Sequence, residues 1–210
     1  YFPQIEPILK QKGIPDDLKY LMAIESNVDP KAVSAAGAAG FWQFMKETAK
    51  GYGLHVDSEV DERYNIEKET VAACKFLKKA FSRYGDWMTG AASYNGGIQN
   101  MDRKIEQQGQ SCALDLWQVE ETDRYMYRIL AAKMLFQNPS DFGFGHVTER
   151  YPLLKTRKTV TVTESIPDLA AFAREHGITY AQLKRANHWL RDTSLNVPAG
   201  KSYKILIPAI

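Results

Sequence analysis

The hydrophobic period changes once along this chain, and that change divides what it can fold into. From Tyr1 to Asn138 apolar side chains recur at helical spacing in short blocks, whereas Lys158-Thr-Val-Thr-Val-Thr163 alternates with period two. Phe2, Ile5 and Leu9 form the first block, closed by Gly13. Pro15 suits a first helical position, and Asp16 and Asp17 fall in the first turn, where the helix dipole favours anions. Leu18, Leu21 and Met22 then mark an apolar face, so a helix is predicted over Pro15–Ser26. A second is predicted from Gly40 to about Tyr52. Asn65 can cap a long helix containing Ala73, Phe76, Leu77, Ala80, Phe81 and Tyr84, ended by Gly85. Asp86 can cap the next, with Trp87, Met88, Ala91, Tyr94 and Asn95. Ile98, Met101 and Ile105 mark another helix. Tyr125, Ile129, Ala132 and Phe136 place one over about Glu120–Gln137, ahead of Pro139. The fold class is therefore mainly α.

Residues 139–157, rich in Gly, Pro and aromatics, read as a linker. Beyond it the alternating stretch is followed by a helix over Pro167–Glu175, a short helix capped by Thr179, the turn Pro198-Ala-Gly200, and a second strand over Tyr203–Ile207. This is a βααβ module of about fifty residues, close to the lower size for independent folding. The expected division is 1–138, a helical domain; 139–157, a linker; and 158–210, the small module.

Charge narrows the function. The net charge is +2, with no basic patch of the kind that binds nucleic acid. The stretch 158–210 holds seven basic and four acidic residues, a lean toward an anionic polymer that a solvated surface explains equally well. No apolar run is long enough to cross a membrane. The chain opens inside a helical pattern at Tyr1, so any leader or membrane anchor is expected outside it. Cys74 and Cys112 either form one disulfide or remain two thiols, and neither has metal-ligand spacing with a histidine. His55, His146, His176 and His188 are scattered. No cofactor and no metal are expected.

The next position on the Leu18–Met22 face is Glu25. A carboxyl on a core-facing position loses hydration, which disfavours its charged form and raises its pKa. Kept protonated near neutral pH, it can act as a general acid. The competing reading has Glu25 at a fraying helix end, pointing to water. Trp42 and Trp87 can stack sugars, but tryptophan at helical spacing is more often core.

Ile24-Glu25-Ser26, then Gly40-Phe41-Trp42-Gln43, then Ala92-Ser93-Tyr94-Asn95 stand in order and at characteristic intervals. They resemble the motifs of family 1 lytic transglycosylases, as does Val60-Asp-Glu-Arg63. The resemblance covers about 1–138 and implies a lysozyme-like fold. The final module resembles LysM, which binds N-acetylglucosamine-containing glycans, through Asn187, Pro198, Gly200 and Ile207-Pro208. Glu164-Ser165-Ile166-Pro167 replaces the usual Gly-Asp-Thr-Leu opening.

The resemblance implies a peptidoglycan substrate and one catalytic carboxyl, Glu25, acting as acid and then base to form 1,6-anhydro-MurNAc ends. Substrate contacts carry over to Ser34, Gln43, Met45, Tyr94, Asn95 and Tyr125. Each has a plainer reading: a cap for Ser34, a backbone bridge for Gln43, core packing for Met45 and Tyr125, and a helix end for Tyr94-Asn95. Asp29, beside Pro30, is expected to be structural. Two alternatives stand. A lysozyme-type hydrolase needs a second carboxylate, and a non-catalytic peptidoglycan-binding protein has no use for Glu25. The expected partner is the peptidoglycan glycan strand, not nucleic acid. The expected setting is the bacterial periplasm or cell envelope, with outer-membrane anchoring through a segment absent from this chain, as a monomer. The tail is expected to fold separately and improve retention on murein.

Overall fold

The computed structural model describes residues 1–145 and 155–209; the part of the expected linker at 146–154, with His146, lies outside the described residues. The first part is helical: α1 Phe2–Gln11, α2 Lys19–Ser26, α3 Lys46–Gly51, α4 Ile66–Tyr84, α5 Trp87–Gly96, α6 Ile98–Gln108 and α7 Glu120–Gln137. The second part is β1 Thr156–Val162, α8 Leu169–Glu175, α9 Tyr180–Ala186 and β2 Tyr203–Pro208. Its two strands pair antiparallel, with Val160 opposite Ile205 and Val162 opposite Tyr203.

The caps behave as their chemistry requires. Asn65 Oδ1 accepts from Lys68 N (3.1 Å), and Asp86 Oδ2 accepts from Thr89 N (2.7 Å). Thr179 and Gln182 form a reciprocal capping box. Two predicted helices start later than expected. Pro15 is extended (ψ 135°), so residues 16–18 make a 3-10 turn before α2 begins at Lys19. Between Gly40 and Met45 the chain turns instead of coiling, because Gly40 (φ +83°) and Gln43 (φ +49°) both leave the right-handed region.

α4 packs against α1 and α5, and α7 lies across α2 and α5. Ile5, Leu9, Leu21, Met22, Trp42, Ala73 and Leu77 form the fully buried centre. Each Leu or Ile there contributes about 1.5–3 kcal/mol by leaving water. The small module has its own core of Leu169, Leu183, Trp189, Leu190, Ile205 and Ile207. Val60, 1% exposed, comes from before the linker and joins that second core, and Tyr64 packs against it.

Cys74 and Cys112 are both free. Cys74 is buried, and that burial pushes its thiol pKa up to about 11. Thiol titration of unfolded, non-reduced protein should count two. In the native state Cys74 should react far more slowly than the half-buried Cys112. A count of zero would require a bridge and a different packing of α4.

Candidate active site

Glu25 occupies the last turn of α2, one face of which is anchored by Leu21 and Met22. It does not point freely to water. It is half-buried, and the hydroxyl of Tyr125 on α7, itself 1% exposed, donates a hydrogen bond to its Oε1. Burial raises the Glu25 pKa. The Tyr125 hydrogen bond and the Arg128 charge pull it down, and the Glu121 charge pushes it up again. The balance lies above the usual carboxylate value. Arg128 is held beside it by donating to the Ile24 carbonyl (3.1 Å). Ser26 is turned inward, its Oγ donating to Met22 O (3.0 Å). Beyond it Asn27 and Val28 are both left-handed (φ +52° and +62°), a strained conformation for a β-branched residue that turns the chain sharply out of α2.

The segment from Ala32 to Met45 folds back on itself as a loop. Ala39 and Phe44 exchange two backbone hydrogen bonds (3.1 Å each), and Gly40 N donates to Ala32 O (3.1 Å). Gly40 lies so close to the following segment that a Cβ there would sit 1.7 Å from Arg63 O. Trp42 is fully buried and donates Nε1 to Thr70 Oγ1 (3.0 Å), so it is core and not a sugar platform. Its backbone N donates to Glu69 Oε2 (3.2 Å). Burial drives the pKa of Glu69 well above the carboxylate range, against the pull of backbone hydrogen bonds from Trp42 and Phe41. Its Oε2 anchors the loop to α4 from inside the core.

Gln43 does form the backbone bridge: Nε2 donates to Gly40 O (2.7 Å) and Ala32 O (3.1 Å). That arrangement fixes the amide orientation and leaves Oε1 without a protein donor among the described residues. Ser34 caps a turn, its Oγ accepting from Ala38 N (3.0 Å). Met45 is 45% exposed, which removes the core-packing alternative. The Tyr94 hydroxyl donates to Trp42 O (2.7 Å) and not to Glu25. Asn95 ties α5 to α7, accepting from Thr122 Oγ1 (2.9 Å) and donating to Glu121 Oε1 (3.3 Å). Asp29 is exposed and accepts from Lys31 N (2.8 Å), a turn role. Trp87 stacks on Phe81 with ring centroids 4.2 Å apart.

The structure thus brings Glu25 and Tyr125 together, holds Gln43 and Trp42 in one loop that Tyr94 braces from α5, and sets Asn95 beside α7. Sequence reasoning missed Glu121, Thr122 and Arg128. All three lie three or four positions from Tyr125, on its side of α7, and that spacing was the available signal. Glu120, Glu121, Arg124 and Arg128 line an open polar cleft of about 440 Å³. Among the described residues, no group of His, Cys, Asp or Glu is arranged to hold a metal.

Residues 4–115 match the family described as Transglycosylase SLT domain, and residues 158–210 match the Soluble lytic transglycosylase C-terminal LysM-like domain. The chain is 28% identical over 206 residues to the membrane-bound lytic murein transglycosylase D of Escherichia coli (strain K12), covering 95% of this chain and 44% of that protein. It is 33% identical over 73 residues to a transglycosylase of Enterobacteria phage PRD1, covering 35% of this chain and 25% of the relative. Among solved structures, the 70 kDa soluble lytic transglycosylase of Escherichia coli superposes with a TM-score of 0.55 at 19% identity, covering 72% of this chain and 27% of that one. The lytic transglycosylase Slt of Pseudomonas aeruginosa, as its inactive mutant, gives 0.53 at 19% identity, covering 66% and 24%. The chain therefore spans less than half the length of these relatives.

Proposed function

The chain belongs to the transglycosylase SLT domain family, and from that membership we propose that it cleaves the MurNAc-β-1,4-GlcNAc bond of peptidoglycan without consuming water. The observation that carries the reading is the half-buried Glu25, raised in pKa by burial and paired with the Tyr125 hydroxyl. Protonated Glu25 donates to the glycosidic oxygen as its bond to C1 of MurNAc breaks, and GlcNAc leaves with a free hydroxyl. The C6 hydroxyl oxygen of the same MurNAc then bonds to C1. Glu25, now a carboxylate, accepts that hydroxyl's proton and is restored. The Tyr125 hydrogen bond and the Arg128 charge favour the carboxylate at the moment it must act as base. Gln43 Oε1 and the exposed Met45 are read as sugar contacts, with Ser34 beside them; Tyr94 and Asn95 act by bracing the loop and α7.

One observation favours a second reading. Glu121 bears electrostatically on Glu25, so a hydrolytic enzyme would have a candidate second carboxylate. Mass spectrometry of products from purified murein sacculi separates the two. Anhydro ends, lighter by one water than reducing ends, are expected; reducing ends alone would transfer the assignment to hydrolysis.

We read the working unit as 1–138 with 158–210 attached, acting as a monomer on glycan strands in the bacterial periplasm or cell envelope. Among the described residues no helix is long and apolar enough to cross a membrane.

Tyr125→Phe tests the acid. It removes a hydrogen bond that favours the carboxylate, so the Glu25 pKa rises further. The alkaline limb of kcat/KM, which reports loss of the general acid, should move to higher pH. An unmoved limb would show that the hydroxyl does not govern the proton.

A further inference from the structure

The Val60–Arg63 stretch is not explained by the chemistry at Glu25, yet it connects the substrate loop to the small module. Asp61 and Arg63 are 6% and 9% exposed. The Arg63 guanidinium donates Nε to Asp61 Oδ1 (3.0 Å) and Nη2 to Asp61 Oδ2 (2.7 Å), a bidentate pair. Its remaining terminal nitrogen, Nη1, donates to Gly37 O (2.9 Å) and Phe44 O (3.1 Å). Those carbonyls lie on opposite arms of the loop, one beside the Ser34 turn and the other between Gln43 and Met45. The planar fork serves both arms and the carboxylate at once, which a lysine ammonium cannot do.

The other side of this pair is gripped by the C-terminal module. Asp61 N donates to Trp189 O (2.9 Å), and Arg191 N donates to Glu59 O (2.8 Å). Glu59 Oε2 accepts from Asn196 N (2.8 Å), and Oε1 accepts from Ser194 Oγ (3.3 Å). The Arg191 guanidinium covers the Tyr64 ring at 4.4 Å, and Val60 sits inside the module's core. The segment is also braced internally, with Asp57 Oδ1 accepting from Glu59 N (2.8 Å) and Val60 N (2.7 Å).

We propose that Asp61 and Arg63 are positioning residues that hold the Ser34–Met45 loop in its substrate-binding shape, and that docking of the C-terminal module onto Glu59–Asp61 keeps this pair in place. The module then supports cleavage of short soluble glycans as well as any retention on murein. The inference rests on the transglycosylase reading above.

The test uses full-length Arg63→Lys, Glu59→Ala and the double variant, with steady-state kinetics on a soluble tetrasaccharide of alternating GlcNAc and MurNAc. Hydrogen exchange of residues 34–45 and thermal melting are measured beside it. Arg63→Lys should stay folded at assay temperature and raise KM about tenfold or more, since a displacement of about 1 Å in a binding group has effects of this order. Glu59→Ala should raise KM by a smaller factor, and both variants should speed exchange in 34–45. The alkaline limb of the pH profile should not move, because Glu25 and Tyr125 are untouched. The double variant should fall short of the product of the single effects, as coupled residues do. Unchanged KM and exchange in Arg63→Lys would make the pair merely structural. If Arg63→Lys does not fold, Glu59→Ala decides alone: a loosened 188–196 segment with unchanged KM and unchanged exchange in 34–45 overturns the relay. If the wild type releases no anhydro product, the transglycosylase reading has failed instead, and exchange in 34–45 alone then decides the relay.

Discussion

Glu25→Gln is expected to bind glycan, remain folded and lose nearly all cleavage. The amide keeps the shape of the carboxyl and can still accept the Tyr125 hydrogen bond. It cannot deliver a proton to the leaving oxygen or remove one from the C6 hydroxyl. General acid–base assistance is worth about 10²–10⁴-fold, and one group serves both steps here, so the loss should reach the top of that range or exceed it. Stability gives an independent check. The folded-state pKa of Glu25 is raised above its unfolded value, so the native state binds more protons in the window between the two. Wild-type stability from this group is therefore full below the unfolded pKa and falls as pH rises through the folded one. Glutamine has no such loss. The variant should be as stable as the wild type in acid and slightly more stable at neutral pH, as denaturant melts at several pH values would read. Full activity in Glu25→Gln would remove this residue from the chemistry.

Gly40→Ala should be the most damaging small substitution in the chain. The added Cβ would lie 1.7 Å from the Arg63 carbonyl oxygen and 2.6 Å from Glu69 Oε2, and the first of these is backbone that has no free side chain to move. The φ of +83° adds strain of its own. Together these should exceed about 3 kcal/mol, the upper tail for single replacements. Gly37→Ala is the internal control. Its φ is +87°, yet nothing lies within 4 Å of the added carbon. It should lose only the conformational part, about 1–2 kcal/mol. Equal losses in urea unfolding would show that the left-handed backbone matters and the close approach does not.

Much of this architecture was legible because local chemistry and tertiary packing agree. Asn65, Asp86 and Thr179 cap the helices that their side chains favour, and the period-two stretch at Lys158 lies in a strand. Glu25 was conspicuous as a carboxyl continuing an apolar face. What the sequence hid was set by distant partners. A helix is expected from Gly40, but between Gly40 and Met45 Trp42 N bonds to Glu69, 27 residues away, instead of to its own preceding turn. Tyr94, which the resemblance offers as a substrate contact, donates its hydroxyl to the Trp42 carbonyl, 52 residues earlier. Val60 reads as an ordinary loop valine until a core from beyond the linker closes over it.

The hydrogen bond between Glu25 and Tyr125 joins residues 100 positions apart, and Arg128 reaches back 104 positions to Ile24. The stretch matching the transglycosylase family ends at residue 115, before α7 begins at Glu120. A fragment cut at that limit would carry Glu25, the Gly40–Gln43 turn and Tyr94-Asn95, yet lack the phenol and guanidinium that tune its acid. Order of synthesis gives the same result in time. Until α7 has emerged and docked against α2, the growing chain holds Glu25 without the hydroxyl and the guanidinium that act on its proton.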